Sequence, residues 1–257
     1  MQGVIEMNLF QFALVYVLLL IVLAIMKKSK INQTKLLLLA SFRMTVQLVL
    51  AGLVLTYILG NPKPVFTVFY LIAMTSFAII RVLRKNKEIN RKFKFAIGFS
   101  LAGSGLLIVL FFVQVVVGMD IFNPQYTIPL SGMIFGNAMT GLTLAMKTFN
   151  ENLKAQRNRI DSLLYIGVTP KKILLPFVNS ALETALLPTM NSMLGMGIIS
   201  LPGMMTGQIL SGTLPMTAIL YQIAIMIAIT TVVCLSVFSA LYFGYRTLYN
   251  DRNQIIL

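Results

Sequence analysis

Long apolar runs, separated by short polar connections, dominate the chain. A transmembrane helix needs about 20 mostly apolar residues, and several runs reach or approach this length. The predicted spans are Leu9–Met26, Leu36–Leu59, Val65–Ile80, Phe95–Val117, Ile128–Met146, Ala181–Ile199 and Met216–Tyr245. We therefore predict an all-α, polytopic membrane protein of about seven transmembrane helices. Residues 1–257 leave no room for a separate soluble domain, so we expect a single transmembrane domain.

Basic residues are concentrated in alternate connections between these runs. Nearly all of the 21 lysines and arginines lie in residues 27–35, 81–94, 147–172 and the tail from Arg246. Cytoplasmic loops carry such an excess of positive charge, so the N-terminus is predicted outside and the C-terminus in the cytoplasm. Met1–Asn8 contains no basic residue, which favours a retained first helix over a cleaved signal peptide. We expect a multi-pass protein of the plasma membrane.

Composition narrows the class of protein. The chain is 58% hydrophobic and 11% charged, with a mean hydropathy of +0.86, so lipid must be part of its solvent. The net charge of +14 could suggest nucleic acid, but its placement indicates orientation in the membrane and contact with anionic lipid instead. The single cysteine and the lack of histidine remove disulfides, the commonest metal ligand and the usual general base. With no phosphate-binding GxxxxGK[ST] loop either, we expect a chain that is not an enzyme and holds no cofactor.

The cytoplasmic segment 147–172 has an amphipathic pattern. Apolar residues recur at near-helical spacing among basic ones and Asp161, and Gly167 and Pro170 then interrupt the pattern. The apolar positions are Phe149, Leu153, Ile160, Leu163 and Leu164. One interpretation is a helix on the membrane surface that only joins two spans. The other is a coupling helix that docks into a cytoplasmic motor protein.

Leu201–Ile209 is apolar but rich in residues that interrupt helices. Pro202, Gly203 and Gly207 make a continuous helix unfavourable there, with Gly212 close behind. Broken backbone at membrane depth is tolerated only where protein buries it or where it lines a cavity. The stretch is therefore either an outer turn or a gate that lines the transport pathway.

Several polar side chains interrupt the predicted spans. Asn137 lies beside a stripe of small residues in the fifth span, which indicates helix packing first and a pathway second. Arg43 and Gln47 are one turn apart in the second span, and Glu183 lies in the sixth. Charges within a membrane are costly, so these intramembrane polar residues either pair structurally or line a functional site.

Methionines crowd one region of the chain. Met190, Met193, Met196, Met204 and Met205 fall within a short stretch. Thioethers bind soft ions such as Cu(I), but methionine is also a flexible filler of apolar cores. The sequence leaves open whether a metal site exists.

Three strings resemble a known family, the FetB-type iron export permeases. They are Ile128-Pro-Leu-Ser-Gly-Met-Ile-Phe-Gly-Asn-Ala-Met-Thr-Gly-Leu142, Pro188-Thr-Met-Asn-Ser-Met193 and Leu201-Pro-Gly-Met-Met-Thr-Gly-Gln-Ile209. The likeness covers nearly the whole chain. It implies the permease subunit of an ABC transporter, paired with a second copy of itself and with separate ATPase subunits that bind ATP and Mg²⁺. Bacterial members are linked to iron export and plant relatives to aluminium tolerance.

We assign candidate roles to particular residues. Asp161, Gly167 and Pro170 would couple the chain to the ATPase, although Asp161 and Val168 depart from the usual coupling pattern. Candidates for the pathway or its gate are Asn137, Asn191, Met193, Met204, Met205 and Gln208. Iron prefers carboxylate and imidazole ligands, which are scarce here, so a tight iron site is not expected. An ion-gradient-driven transporter of a small solute is the alternative function.

Overall fold

Helices make up most of the structure, a computed structural model that describes residues 8–86, 89–250 and 254. The helices are α1 (Leu9–Lys28), α2 (Thr34–Gly60), α3 (Pro64–Lys85), α4 (Arg91–Phe111), α5 (Pro124–Ala155), α6 (Arg157–Tyr165), α7 (Pro170–Gly195), α8 (Gly203–Leu210) and α9 (Pro215–Tyr245). Seven of them are long and apolar enough to cross a membrane, and the described residues form no β-strand. The predicted fold class is confirmed. Lys87 and Arg252, counted among the cytoplasmic basic residues, lie outside the described residues, as do residues 1–7.

Four predicted spans differ from the observed helices by four residues or more at one end or both. The fourth begins at Arg91 rather than Phe95, and the fifth is Pro124–Ala155 rather than Ile128–Met146. The third is the helix Pro64–Lys85 rather than the short run Val65–Ile80, because its basic end continues the helix beyond the apolar part. The sixth begins at Pro170 rather than Ala181 and ends at Gly195 rather than Ile199. It starts early because proline is well suited to the first helical position.

The smaller of two compact units comprises Met1–Pro62 and Gly207–Thr213. Within it α1 and α2 form a hairpin, whose turn places Lys30 in the left-handed region at φ 54°. The hydroxyl groups of Tyr16 and Thr45 lie 2.5 Å apart and join the two helices. Most apolar side chains of the described hairpin are exposed, so this unit presents an apolar surface suited to contact with lipid or with another protein.

The larger unit comprises Lys63–Thr206 and Leu214–Leu257. α4 and α9 share its most extensive contact, and α5 packs against α3, α4, α7 and α9. The packing depends on small residues: a Cβ on Gly244 would overlap the ring of Phe93, and one on Gly141 would lie 2.6 Å from Cγ1 of Val233. Close approach of this kind is how helices associate in lipid.

Hydrogen bonds at one end of the bundle fix where α4 begins. Asn90 caps the helix, since its Oδ1 accepts a hydrogen bond from Phe93 N at 2.7 Å. Its Nδ2 donates to Thr247 O at 2.8 Å, which ties the start of α4 to the chain just after α9. Asn90 thereby holds together two parts of the chain that are distant in sequence, the start of α4 and the segment after α9.

Candidate functional site

A cavity of about 490 Å³ opens between the end of α7, the start of α8 and the first half of α9. Its sulfur and amide groups come from Met193, Met196, Met205, Gln222 and Met226, and apolar side chains complete the wall. All of these residues belong to the larger unit. The cavity is therefore apolar, with a few convergent soft or polar atoms, as binding pockets commonly are.

A tight turn after α7 connects this helix to α8, the next segment that lines the cavity. α7 ends at Gly195 and the chain is extended at Met196; Gly197 then adopts a left-handed φ of +81°, and its N–H donates to Ser200 O at 3.0 Å. The chain then re-enters a helix after Pro202, whose carbonyl accepts from Thr206 N at 2.9 Å. The turn sets Met196 and Met205 on one wall of the cavity.

The facing wall is a single stripe of α9. Ile219, Gln222, Ile223 and Met226 recur three or four residues apart, the spacing of neighbours on one helix face. Thr230 continues the stripe, with its Oγ1 2.8 Å from Met226 O and 3.4 Å from Met193 Sδ. A thioether sulfur has two lone pairs, so even with this contact the Met193 sulfur keeps one to bind another group.

Gln222 is the unusual group in this wall. Its side chain is 8% exposed, and Oε1 is buried with no hydrogen-bond partner among the described residues. An unpaired buried amide oxygen costs free energy, so most such groups in proteins find a partner. Gln222 lines the cavity, so a rotation of its side chain would bring this unpaired oxygen to a group that enters it.

The stretch 201–209 departs from its prediction. We expected proline and glycine to prevent a continuous helix there, but Gly203–Leu210 forms α8. The interruptions lie on either side of it, where Gly197 and Gly212 have φ of +81° and +98°. The short helix forms because Pro202 precedes it instead of interrupting it.

The predicted gate residues do not converge on one place. Met193 and Met205 line the cavity, whereas Met204 is partly buried against the core of the larger unit. Asn191 is exposed near the end of α7. Asn137 is exposed on α5, and its Nδ2 donates to Met133 O at 2.8 Å within the same helix.

The remaining polar candidates lie in other surroundings. Gln208 groups with the smaller unit, and its Oε1 is buried without a partner among the described residues. Arg43 and Gln47 are exposed on α2, and Glu183 is exposed on α7. Their roles remain predictions. The sequence missed Gln222 and Met226, although a glutamine in the middle of the long apolar run of α9 was a usable signal.

The coupling segment is built from the end of α5, α6 and the start of α7. Phe149 and Leu153 belong to α5, not to the short amphipathic helix predicted, which spans only Arg157–Tyr165. Ile160 is the buried residue of α6 and lines a pocket of about 260 Å³ with Ile173 and Phe177 of α7. The short helix is thus anchored by its apolar side.

A glycine cap ends α6. Gly167 has φ +85°; its N–H donates to Leu164 O at 3.0 Å, and Val168 N donates to Leu163 O at 3.0 Å. This pair of bonds is the Schellman motif, which favours glycine at that position. The predicted break is therefore located at Gly167, and the buried Pro170 begins α7.

An exposed apolar tip precedes this cap. Tyr165 is 90% and Ile166 76% exposed, and Asp161 is exposed one turn earlier. Sequence reasoning did not single out Tyr165 or Ile166, although two large apolar residues directly before Gly167 were a signal. Such side chains are common anchors in protein interfaces.

A basic pocket of about 550 Å³ lies where the ends of α3 and α5 meet. Arg84, Lys85, Lys147 and Lys154 line it. Its floor includes the buried Asn86, whose Oδ1 accepts from Asn150 Nδ2 at 3.3 Å. The positive charge makes this part of the surface suited to acidic groups or anionic lipid.

Comparison with known proteins assigns the chain to a family. The model of the uncharacterised protein family UPF0014 matches residues 9–249. The chain belongs to the UPF0014 family. The probable iron export permease protein FetB of Escherichia coli (strain K12) is 31% identical over 97% of this chain and 96% of its own length. The resemblance found in the sequence is confirmed.

Other relatives come from different kinds of organism. The UPF0014 membrane protein YjkA of Bacillus subtilis is 30% identical over 97% of this chain and 98% of its own length. The protein ALUMINUM SENSITIVE 3 of Arabidopsis thaliana is 31% identical over 83% of this chain and 77% of its own length. No solved structure matches the chain. With its seven candidate spans, this UPF0014 protein is a multi-pass membrane protein.

Proposed function

We propose that this UPF0014 protein is the membrane-spanning permease subunit of an ABC transporter, which exports iron or another metal ion. ATP would be bound with Mg²⁺ and hydrolysed in a separate ATPase subunit. The proposal is supported by the match along nearly the full length of a relative named as a probable iron export permease. It is also supported by seven helices able to span a membrane in a chain without a phosphate-binding loop of its own.

The observation that carries the proposal is the exposed tip of α6. Tyr165 and Ile166 stand clear of the bundle at the end of a helix whose Ile160 is buried in it. The positive-inside pattern predicts that this segment is cytoplasmic, where large exposed apolar residues are unfavourable unless a partner covers them. An ATPase subunit that receives the tip would transmit its motion through Ile160 to α5 and α7.

The transport step follows from this coupling. Two permease copies would enclose a central pathway in the plasma membrane and open it to alternate sides as the ATPases close and separate. α5 has 32 residues and so extends for about 48 Å, more than the roughly 30 Å of hydrocarbon core, which lets it link the segment to the membrane interior. The cavity with Met193 and Met205 is the described part of the candidate pathway.

The docking surface is tested with paired variants. An ATP-binding cassette ATPase subunit from the same organism is coexpressed with Tyr165→Ala/Ile166→Ala, and its recovery with the permease and its ATP turnover are measured. The control is Ile198→Ala/Ile199→Ala, since Ile198 and Ile199 are 89% and 86% exposed in the turn after α7. We expect at least tenfold less recovered ATPase for the first pair and no change for the second.

A second set of variants tests coupling separately from docking. Gly167→Val forces a β-branched residue into a left-handed backbone and should distort the cap of α6. Asp161→Asn removes the exposed charge. We expect both to abolish transport-linked ATP hydrolysis while the protein still inserts in the membrane. Unchanged turnover in both would refute the assignment of the segment.

The substrate is tested in cells. Iron content under iron load is compared between cells with the protein, without it, and with the Tyr165→Ala/Ile166→Ala variant. Export predicts more iron retained in the second and third. Equal iron content in all three would reject iron as the substrate while leaving the association with an ATPase to stand on its own measurement.

A further inference from the structure

The cavity between α7 and α9 has an unusual set of ligand atoms. It is lined by Met193, Met196, Met205 and Met226 together with Gln222, whose buried amide oxygen has no partner among the described residues. Among the described residues, no group of three or more His, Cys, Asp or Glu side chains could hold a metal ion. The donors present are therefore soft, neutral sulfur atoms and a single amide oxygen.

We propose that this cavity is a binding site for a soft monovalent cation, Cu(I) or its analogue Ag(I). Thioether sulfur selects Cu(I) over harder divalent ions, which prefer oxygen and nitrogen donors. A monovalent ion also demands the least charge compensation in an apolar wall that supplies no carboxylate. This inference concerns binding to the isolated chain and does not rest on the proposed transport.

The positions of the methionines favour a site over simple core filling. The sequence places five methionines close together, but Met190 and Met204 do not line the cavity. Met226, more than 20 residues beyond them in the chain, does. Three of the five, Met193, Met196 and Met205, thus line the cavity, and Met226 of α9 is the fourth. Sulfur atoms from three separate segments of the chain therefore surround one space.

Gln222 is the second, independent observation. It lies on the same stripe of α9 as Met226, one turn earlier, and its buried Oε1 has no hydrogen-bond partner among the described residues. Apolar helix packing does not need such a group and is weakened by it. A cation in the cavity would compensate the amide dipole, either directly or through a water molecule.

The cavity is larger than a bare ion, so the sulfur atoms must converge when the ion binds. Methionine side chains have three rotatable bonds and adapt to irregular spaces at little cost. Met193 is exposed, whereas Met205 and Met226 are buried. The ion would therefore enter past Met193 and be held by sulfur atoms that swing toward it.

Binding is measured by isothermal titration of Ag(I) into the purified full chain in detergent. Cys234, half-buried on α9, is another soft ligand, so all proteins carry Cys234→Ser. The cavity pair is Met193→Leu/Met205→Leu, and the matched control is Met190→Leu/Met216→Leu, whose methionines do not line the cavity. Methionine and leucine have similar volumes, so folding should persist in both pairs.

We expect the Cys234→Ser protein to bind one Ag(I) per chain. The cavity double variant should bind Ag(I) at least tenfold more weakly than the control double variant. Mg²⁺ in excess should not displace it. Equal affinity in the two pairs, or no saturable binding to the Cys234→Ser protein, would overturn the proposal.

A second measurement needs no variant of the cavity. With methionine methyl groups labelled for NMR, Ag(I) should shift the signals of the four cavity methionines and leave those of Met190 and Met216 in place. A separate titration of Gln222→Leu should show weaker Ag(I) binding, because an apolar side chain of similar size replaces the amide. Shifts spread evenly over cavity and control methionines would reject a defined site.

Discussion

The α1–α2 hairpin and the larger helical unit are both apolar, yet they bury very different shares of their surface. α5 has the lowest mean hydropathy of the seven candidate spans, and half of its most apolar window is buried. α1 is among the most apolar, and none of its window is buried among the described residues. Hydropathy therefore measures suitability for lipid in this protein and does not measure burial in the core.

The physical reason is that lipid solvates apolar side chains as well as a protein interior does. Without a hydrophobic drive between helices, packing depends on close approach and shape. α5 and its neighbours carry glycine where another helix touches: Gly141 faces Val233, and Gly105 lies against the ring of Phe135. A Cβ on Gly52 of α2, by contrast, would meet no described heavy atom within 4 Å.

Truncation of a buried aromatic residue should give the largest difference in stability between variants of the two units. Phe149 is fully buried and makes an edge-to-face contact with Phe93, with ring centroids 6.2 Å apart. Phe149→Ala should cost about 3–5 kcal/mol and lower the thermal unfolding midpoint in detergent. Phe42→Ala, in the exposed surface of α2, should leave the midpoint nearly unchanged. Equal shifts for both would contradict the contrast between the units.

Added volume at a helix contact should have the next largest effect. Gly244→Val forces a side chain into the ring of Phe93, and overpacking typically costs about 1–3 kcal/mol. Gly52→Val makes the same chemical change on α2 where space is open. The quantity to compare is the fraction of protein that remains monodisperse after heating. If Gly52→Val proved the more damaging, α2 would be the more tightly packed helix.

The smallest effect should come from the polar contact within the hairpin. Tyr16→Phe removes the hydroxyl that lies 2.5 Å from Thr45 Oγ1. Hydrogen bonds between membrane helices are worth about 0.6 kcal/mol on average by double-mutant cycles. A cycle of Tyr16→Phe with Thr45→Val should give a coupling near that value. A coupling above about 2 kcal/mol would mean that one polar contact dominates the association of the hairpin helices.

Element prediction succeeded where a single segment carried its own signal. The seven spans and the break at Gly167 follow from apolar length and from glycine chemistry. The predicted starts were too late at Pro124 and Pro170, because proline opens a helix at its first position. Element prediction failed at α8, where Pro202 and Gly203 stand at the start of a helix and Gly207 lies inside it. The effect of a proline depends on whether it falls at the first turn or inside the helix, which the composition of a stretch does not reveal.

Site prediction succeeded less well because it relied on nearness in sequence. Asn137 and Glu183 attracted attention as polar residues in apolar runs, yet both are exposed on their helices. Gln222 has the same sequence signature and is buried beside a cavity. Burial depends on which face of a helix meets a neighbour, and these seven spans are too uniformly apolar for their periodicity to identify that face.

By itself, the amino-acid sequence determined that the chain is a membrane protein, how many candidate spans it has and which connections carry the positive charge. These properties follow from the transfer of each segment into lipid, which depends on local composition. Only the tertiary structure decided that α6 ends in an exposed apolar tip and that methionines from α7, α8 and α9 surround an unpaired amide. Those arrangements arise from contacts between segments far apart in the chain, and such contacts depend on the shapes of facing helices.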